Sequence, residues 1–148
     1  MGGVPMNIYL IGSLKDPDFP HVAEALREAG HNVFDDWRGG GHDGDHRWRE
    51  YELNDRGRGY AEAVYAPFAV SGRAFDVANI ERQDVVVAVC KERKLPGRSS
   101  VAELAYAKNN GILSYVLLNG EPDEWDLMLP LAVHRFFTSV AGLLEFLK

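Results

Sequence analysis

Two carboxylates, a tyrosine and a run of hydroxyl and guanidinium groups are the residues of this chain that could do chemistry. Glu103 follows Arg98, Ser99 and Ser100 at the opening of a helical stretch, and Asp76 lies on a helical stretch ahead of the most apolar segment. An ionised carboxylate can attack or stabilise a cationic carbon, while a second carboxyl that keeps its proton can deliver it to a leaving group. Arg98, Ser99 and Ser100, with Lys91, Arg93 and Lys94 just before them, have the composition of an anion site, because helix-start N–H groups, hydroxyls and guanidinium groups can converge on one ligand. The same segment also fits a solvated basic loop. Ser100-Val101-Ala102-Glu103 matches the S-x-x-E capping box as well, in which the glutamate only bonds back to its own helix start. Asp76, taken alone, fits solvated surface as well as a site.

Other polar groups carry less. His42 and His46 enclose Asp43 and Asp45 in a glycine-rich stretch, but no third anchor has a metal-ligand spacing. A lid over a crevice suits that stretch better than a metal centre. Cys90 ends an apolar strand and reads as core, and Asp84 reads as a structural cap. No G-x-G-x-x-G follows the first strand and no G-x-x-x-x-G-K-[ST] occurs, so dinucleotide and P-loop readings lose their main support. No cofactor and no metal is expected.

These groups need elements to position them. Met6 to Ile11 is an apolar strand closed by Gly12-Ser13, Pro20 to Ala29 has helical spacing stopped by Gly30, and His31 to Trp37 is a second, shorter strand. Strand, helix and strand within about thirty residues make a βαβ unit. Helical periodicity is expected near 61–69 and over 75–82. Asp84 to Cys90 then gives an unbroken apolar strand of the kind buried on both faces. A helix from Ser100 to Asn110, a strand from Ile112 to Leu118, a short strand near 135–138 and a helix over 140–147 complete the chain. The expected architecture is α/β, a single domain over 1–148, with an open, mostly parallel five-stranded sheet flanked by helices in the Rossmann-like or flavodoxin-like manner. In such sheets ligands bind beyond the carboxyl ends of the strands. That selects Gly12 and Ser13, the segment from Asp36 and Trp37 onward, and Lys91 to Ser100.

Composition limits the partners. The chain has 148 residues, 46% of them hydrophobic and 26% charged, one cysteine, and a formal charge of −6. Excess negative charge disfavours nucleic-acid polymers and anionic membranes. A lone cysteine excludes an intrachain disulfide and suits a reducing compartment. No apolar run approaches the ~20 residues of a membrane span, and the first residues lack a secretory pattern. A cytoplasmic location is the expectation.

Three segments in register resemble a known family. Ile8-Tyr9-Leu10-Ile11-Gly12-Ser13 is similar to the opening Y-L-x-G-[PS] of the nucleoside 2-deoxyribosyltransferases, a family that includes related nucleotide N-glycosidases. Phe75-Asp76, Ile80 and Asp84-Val85-Val86-Val87-Ala88 resemble its D-x-x-x-I-x-x-x-D-hydrophobic segment. Ser99 to Ala107, followed by Gly111, resembles its G-[TS]-x-x-E-[LI]-G-x-A helix. The resemblance implies that Glu103 is a nucleophile toward the sugar C1′, that Tyr9 orients and tunes it, and that Asp76 helps the departing base take a proton. It also implies a nucleoside or nucleotide as ligand, no cofactor, and a homodimer or higher homo-oligomer in which a neighbour's C-terminal segment closes the site. Asp36 and Trp37, with Trp48 and Tyr51, resemble a D-D-W…W-x-x-Y branch of the family. Gly97 departs from the pattern, standing where transferases carry an acid that holds the 5′-hydroxyl and where the hydrolases often carry a serine. Arg98 beside Ser99 and Ser100 favours a 5′-phosphate. Two other readings stay open: a glutamate-dependent NAD glycohydrolase of the TIR type, and a nucleotide-binding protein without catalysis.

Overall fold

The computed structural model describes residues 3–12, 16–35 and 44–148, with side chains from His46 onward in the last stretch. Five strands form one parallel sheet: β1 (Asn7–Ile11), β2 (Asn32–Phe34), β3 (Val85–Glu92), β4 (Leu113–Asn119) and β5 (Arg135–Phe137), in the spatial order β2-β1-β3-β4-β5. Among the described residues six α-helices accompany them: α1 (Phe19–Glu28), α2 (Gly44–Glu50), α3 (Tyr60–Ala63), α4 (Pro67–Glu81), α5 (Arg98–Asn109) and, after the last strand, α6 (Val140–Phe146). This is the flavodoxin-like strand order, whose topological switch falls between β1 and β3. Every sheet pairing is parallel, where the sequence reading expected mostly parallel.

Alternation along each strand sorts the side chains into two cores. Ile8 and Leu10 of β1, Val85, Val87 and Val89 of β3, and Tyr115 and Leu117 of β4 pack with Phe19, Val22 and Leu26 of α1 and Leu143 of α6. The intervening residues, Tyr9, Ile11, Val86, Ala88, Cys90 and Val116, pack with Ile80 of α4 and Leu104 and Ala107 of α5. Helices on both faces explain why β3 reads as a continuous apolar run rather than an alternating one. Tyr9 therefore points to the α4–α5 layer, which fixes where chemistry can sit.

Element boundaries differ from the sequence reading for local reasons. The expected helical stretch over 61–69 is broken, because α3 stops at Ala63 and Ala66 takes an extended conformation (φ −74°, ψ 158°) ahead of Pro67. Proline at the first helical position lacks only an N–H that would be orphaned anyway, so it starts α4. From there α4 runs unbroken through Gly72 to Glu81. The second strand covers Asn32–Phe34 and has ended by Asp35, while Asp36 and Trp37 of its expected span lie outside the described residues; the Arg27 guanidinium donates to the Val33 carbonyl and to Asp35. The third strand runs on to Glu92, and Arg93 then turns the chain at φ 60°. The structural part expected of Asp84 is seen directly. Its Oδ2 accepts from the Asn7 N–H at 2.8 Å while its own N–H donates to the Asn7 carbonyl at 2.8 Å, clasping β1 to the start of β3.

Candidate active site

Tyr9, Glu103 and Asp76 come together on the α4–α5 side of the sheet. Tyr9 stands in mid-β1, level with Val86 of β3 and Phe34 of β2. Its ring is stacked on Phe34 (centroids 5.4 Å, interplanar 11°) and almost wholly buried, so its hydroxyl has little freedom. That hydroxyl is hydrogen-bonded to the Glu103 carboxyl group. Burial, then the charges of Glu103 and Asp76, push the Tyr9 phenol far above its ordinary range, so it remains a protonated donor at any working pH.

The capping alternative for Glu103 does not hold. The helix starts two residues earlier than Ser100, with Gly97 as its N-cap, which puts Ser100 at the third helical position and Glu103 in the second turn. From there Glu103 is too deep in the helix to serve its first N–H groups. One oxygen, Oε2, is buried and has no hydrogen-bond partner. A buried polar atom without a partner is costly, and such atoms mark places where function overrides stability. Burial raises the Glu103 carboxyl most, the Tyr9 hydrogen bond opposes that rise, and the nearby Asp76 adds to it, leaving Glu103 at about 7. Burial also lifts Asp76 above the ordinary aspartate range. The larger displacement falls on Glu103, whereas the sequence reading expected Asp76 to be the carboxyl that retains its proton. The reason is depth: Glu103 rises from the inner helix toward Tyr9, and Asp76 is nearer solvent.

Asp76 and Glu103 share a cleft of about 940 Å³ between α4, α5 and the segment that covers them. Ser99 and Ala102, from the first two turns of α5, and Tyr106, from its third, line it beside Glu103. Phe68 and Arg73 line it from α4. Arg47, Trp48 and Tyr51 come from α2 and from the π-helical turn Tyr51–Asp55 that continues it. Single π turns displace side chains from α-helical register and recur at functional sites. This one is pinned by Arg58, which donates to the buried Glu52 carboxylate at 2.9 Å and to the Glu52 carbonyl from its N–H.

The remaining sequence candidates distribute unevenly. Ser99 faces the cleft, while Arg98 is exposed and neither it nor Ser100 is among the cleft-lining residues. Arg93 and Lys94 do not join an anion cluster at the cleft; both pair with Asp123, at 2.7 and 3.5 Å. Gly12 is needed for packing, since a Cβ there would sit 2.5 Å from the Phe19 ring. Ser13, Asp36, Trp37, His42 and Asp43 lie outside the described residues, as does the side chain of Asp45. His46 pairs with Glu50 one turn on, at 3.2 Å, and the described residues contain no cluster of three metal-ligating side chains. Cys90 is buried and its thiol is pushed up to about 12 by burial and by Asp16, which leaves it inert. Sequence reasoning missed Arg47, Phe68, Arg73 and Tyr106. Helical spacing was the available signal for two of them, because Arg73 is three residues before Asp76 and Tyr106 three after Glu103.

Comparison with known proteins finds no matching family model and no matching curated protein. Among solved structures the chain is similar to a conserved protein from Enterococcus faecalis V583, with a TM-score of 0.64, 14% sequence identity and 98% of each chain covered. At that identity the likeness is one of fold. No helix among the described residues is long and apolar enough to cross a membrane.

Proposed function

We propose that this chain cleaves the N-glycosidic bond of a nucleoside or nucleoside 5′-monophosphate, passing the sugar to water or to a second base. The observation that carries this reading is the Glu103 carboxyl group, held by Tyr9 on one side and bearing an unpartnered oxygen beside Asp76 in a large cleft. The motif resemblance points to the same three residues. Arg47 and Arg73 add positive charge to the cleft walls, which suits a 5′-phosphate.

The chemistry follows that of retaining glycosidases. Substrate binds the form in which Glu103 is ionised and Asp76 protonated. As the glycosidic bond breaks, positive charge grows on the sugar and the Glu103 oxygen bonds to C1′. Asp76 gives its proton to the departing base, which leaves neutral. Water then attacks C1′, returns a proton to Asp76 and releases Glu103 as carboxylate; a second base in place of water completes a transfer. Tyr9 donates to Glu103 throughout and keeps the carboxylate from being too basic to leave. Glu103 is the more raised of the two carboxyls, so the productive arrangement, with Glu103 ionised and Asp76 protonated, is favoured by the cationic character of the transition state.

Self-association belongs to the same reading. Trp125 and Leu127 are 86% and 91% exposed, with Met128 and Leu131 also largely open to solvent, an apolar patch suited to a second copy. The test of the activity is chromatographic. A panel of deoxynucleosides, their 5′-monophosphates and NAD is incubated with the protein and scored for free base. Base appears from at least one nucleoside or 5′-monophosphate and is abolished in Glu103→Ala with the fold intact by circular dichroism. Unchanged turnover in Glu103→Ala removes the proposal, and nicotinamide release alone redirects it to NAD.

A further inference from the structure

The cleft holds a second unsatisfied group. Trp48 Nε1 is buried and has no hydrogen-bond partner, and its residue lines the same cavity as Glu103. The two orphans are complementary in kind: the indole N–H can only donate and the carboxylate oxygen can accept. One turn on from Trp48, Tyr51 meets Phe68 of α4 with ring centroids 6.2 Å apart, and both rings line the cavity. Tyr51 also opens the π-helical turn, so it is placed by a local departure from α-helical register. The cavity thus offers aromatic faces on the wall contributed by α2 and α4, with the unpartnered indole N–H buried in one of its lining residues, and a carboxylate on the wall contributed by α5.

We infer that Trp48 is the residue that recognises the leaving group, a planar nitrogen heterocycle that stacks on the Tyr51–Phe68 surface and offers the indole N–H an acceptor. The acceptor is a ring nitrogen or a carbonyl oxygen on the edge of the base. This rests on the N-glycosidic reading of the cleft and adds to it where the base sits and what chemical feature it must carry. An aromatic surface alone tolerates any flat ring, because every base has a π-face. A buried donor discriminates far more sharply, since a ligand without an acceptor leaves it unpaired. Trp48 is therefore a specificity residue, and Glu103 and Asp76 are the catalytic ones.

The test separates recognition from turnover. Adenine, hypoxanthine, cytosine and uracil are titrated calorimetrically into Glu103→Gln, and the base that binds best is titrated into Glu103→Gln carrying Trp48→Phe. Phenylalanine keeps an aromatic face and removes the N–H, so affinity falls by about five- to tenfold, the range expected for one lost hydrogen bond. In a second arm that needs no change at Trp48, analogues of the bound base with one acceptor removed at a time (a ring nitrogen replaced by C–H, or a carbonyl deleted) are titrated into Glu103→Gln. One of them loses a similar factor, and that loss vanishes in the double variant. The inference is overturned if no base binds, or if affinity is the same with Trp48 and with phenylalanine. Trp48-dependent binding without base release from any nucleoside leaves this inference standing and removes the enzymatic reading. Base release with unchanged KM in Trp48→Phe does the opposite.

Discussion

Glu103 is the residue on which the account turns, and its ionisation makes separate predictions for stability and for activity. Its carboxyl is raised from 4.5 to about 7, chiefly by burial. A carboxyl whose folded pKa lies above its unfolded value binds more protons in the native state within that interval, so stability falls as pH rises through it. Glutamine has no such titration. Glu103→Gln should match the parent protein near pH 4 and exceed it by about 1–3 kcal/mol above pH 7, measured by urea unfolding at both pH values; equal stability at pH 8 contradicts the buried, unpartnered oxygen. Activity needs Glu103 ionised and Asp76 protonated, and because Glu103 is the more raised of the two, kcat/KM should fall as pH rises through about 7. Tyr9→Phe removes the donor that opposes the rise in Glu103, so that falling limb should move up by roughly one pH unit. A limb that stays in place shows Tyr9 to be packing only. Tyr9, Asp76 and Glu103 were legible in the sequence because each sits in a motif with its own spacing. Trp48 and Tyr51 were visible as the W-x-x-Y part of a motif but without a role, since a hydrogen bond left unmade has no sequence signature. The part expected of Arg93 and Lys94 failed because their partner, Asp123, arrives from thirty residues downstream.

Elements decide whether these groups meet. The helix α5 starts at Arg98, capped by Gly97, and not at Ser100, and those two residues are the difference between a capping glutamate and one facing a cleft. Helix starts are hard to place when the cap is a glycine, as no side chain announces it. Pro67 announces the start of α4, yet helical periodicity on both sides of it made two different stretches plausible. Strand β1 was legible almost to the residue, because its apolar run ends in Gly12. That glycine supports the first strand's exit over Phe19. Gly12→Ala must push against a buried aromatic ring of the core, so it should cost about 1–3 kcal/mol by denaturant unfolding; a neutral change shows that the Phe19 ring can move aside. Ser139→Ala removes the side-chain cap on α6, where Ser139 Oγ accepts from the Gly142 N–H at 3.0 Å. It should lose about 1 kcal/mol with base release unaffected, since α6 packs on the opposite face of the sheet from the cleft.

At the scale of the whole molecule, the strand order β2-β1-β3-β4-β5 brings β1 and β3 together at the centre and places α4 and α5 on one face of both. That arrangement makes a trio from residues separated by up to 94 positions, Tyr9 to Glu103. The fold class was legible because Val85–Cys90 of β3 is an unbroken apolar run and β4 is largely apolar, as a sheet covered on both faces requires. Which faces of α2 and α4 close over the site was not legible, because α4 leaves Phe68, Val70 and Phe75 largely exposed and shows no single apolar stripe. If a second copy covers the Trp125–Leu131 patch, sedimentation should give a mass above 16.5 kDa, and Leu127→Ser with Leu131→Ser should reduce it to one chain. The central claim is a covalent bond between Glu103 and a sugar carbon, and intact-protein mass spectrometry of an acid-quenched reaction tests it most directly. A population heavier by one glycosyl group, mapped to the peptide bearing Glu103 and missing from Glu103→Ala, is the predicted result. Base release at full rate with the same adduct in Glu103→Ala, or with the sugar attached to any other residue, would contradict it.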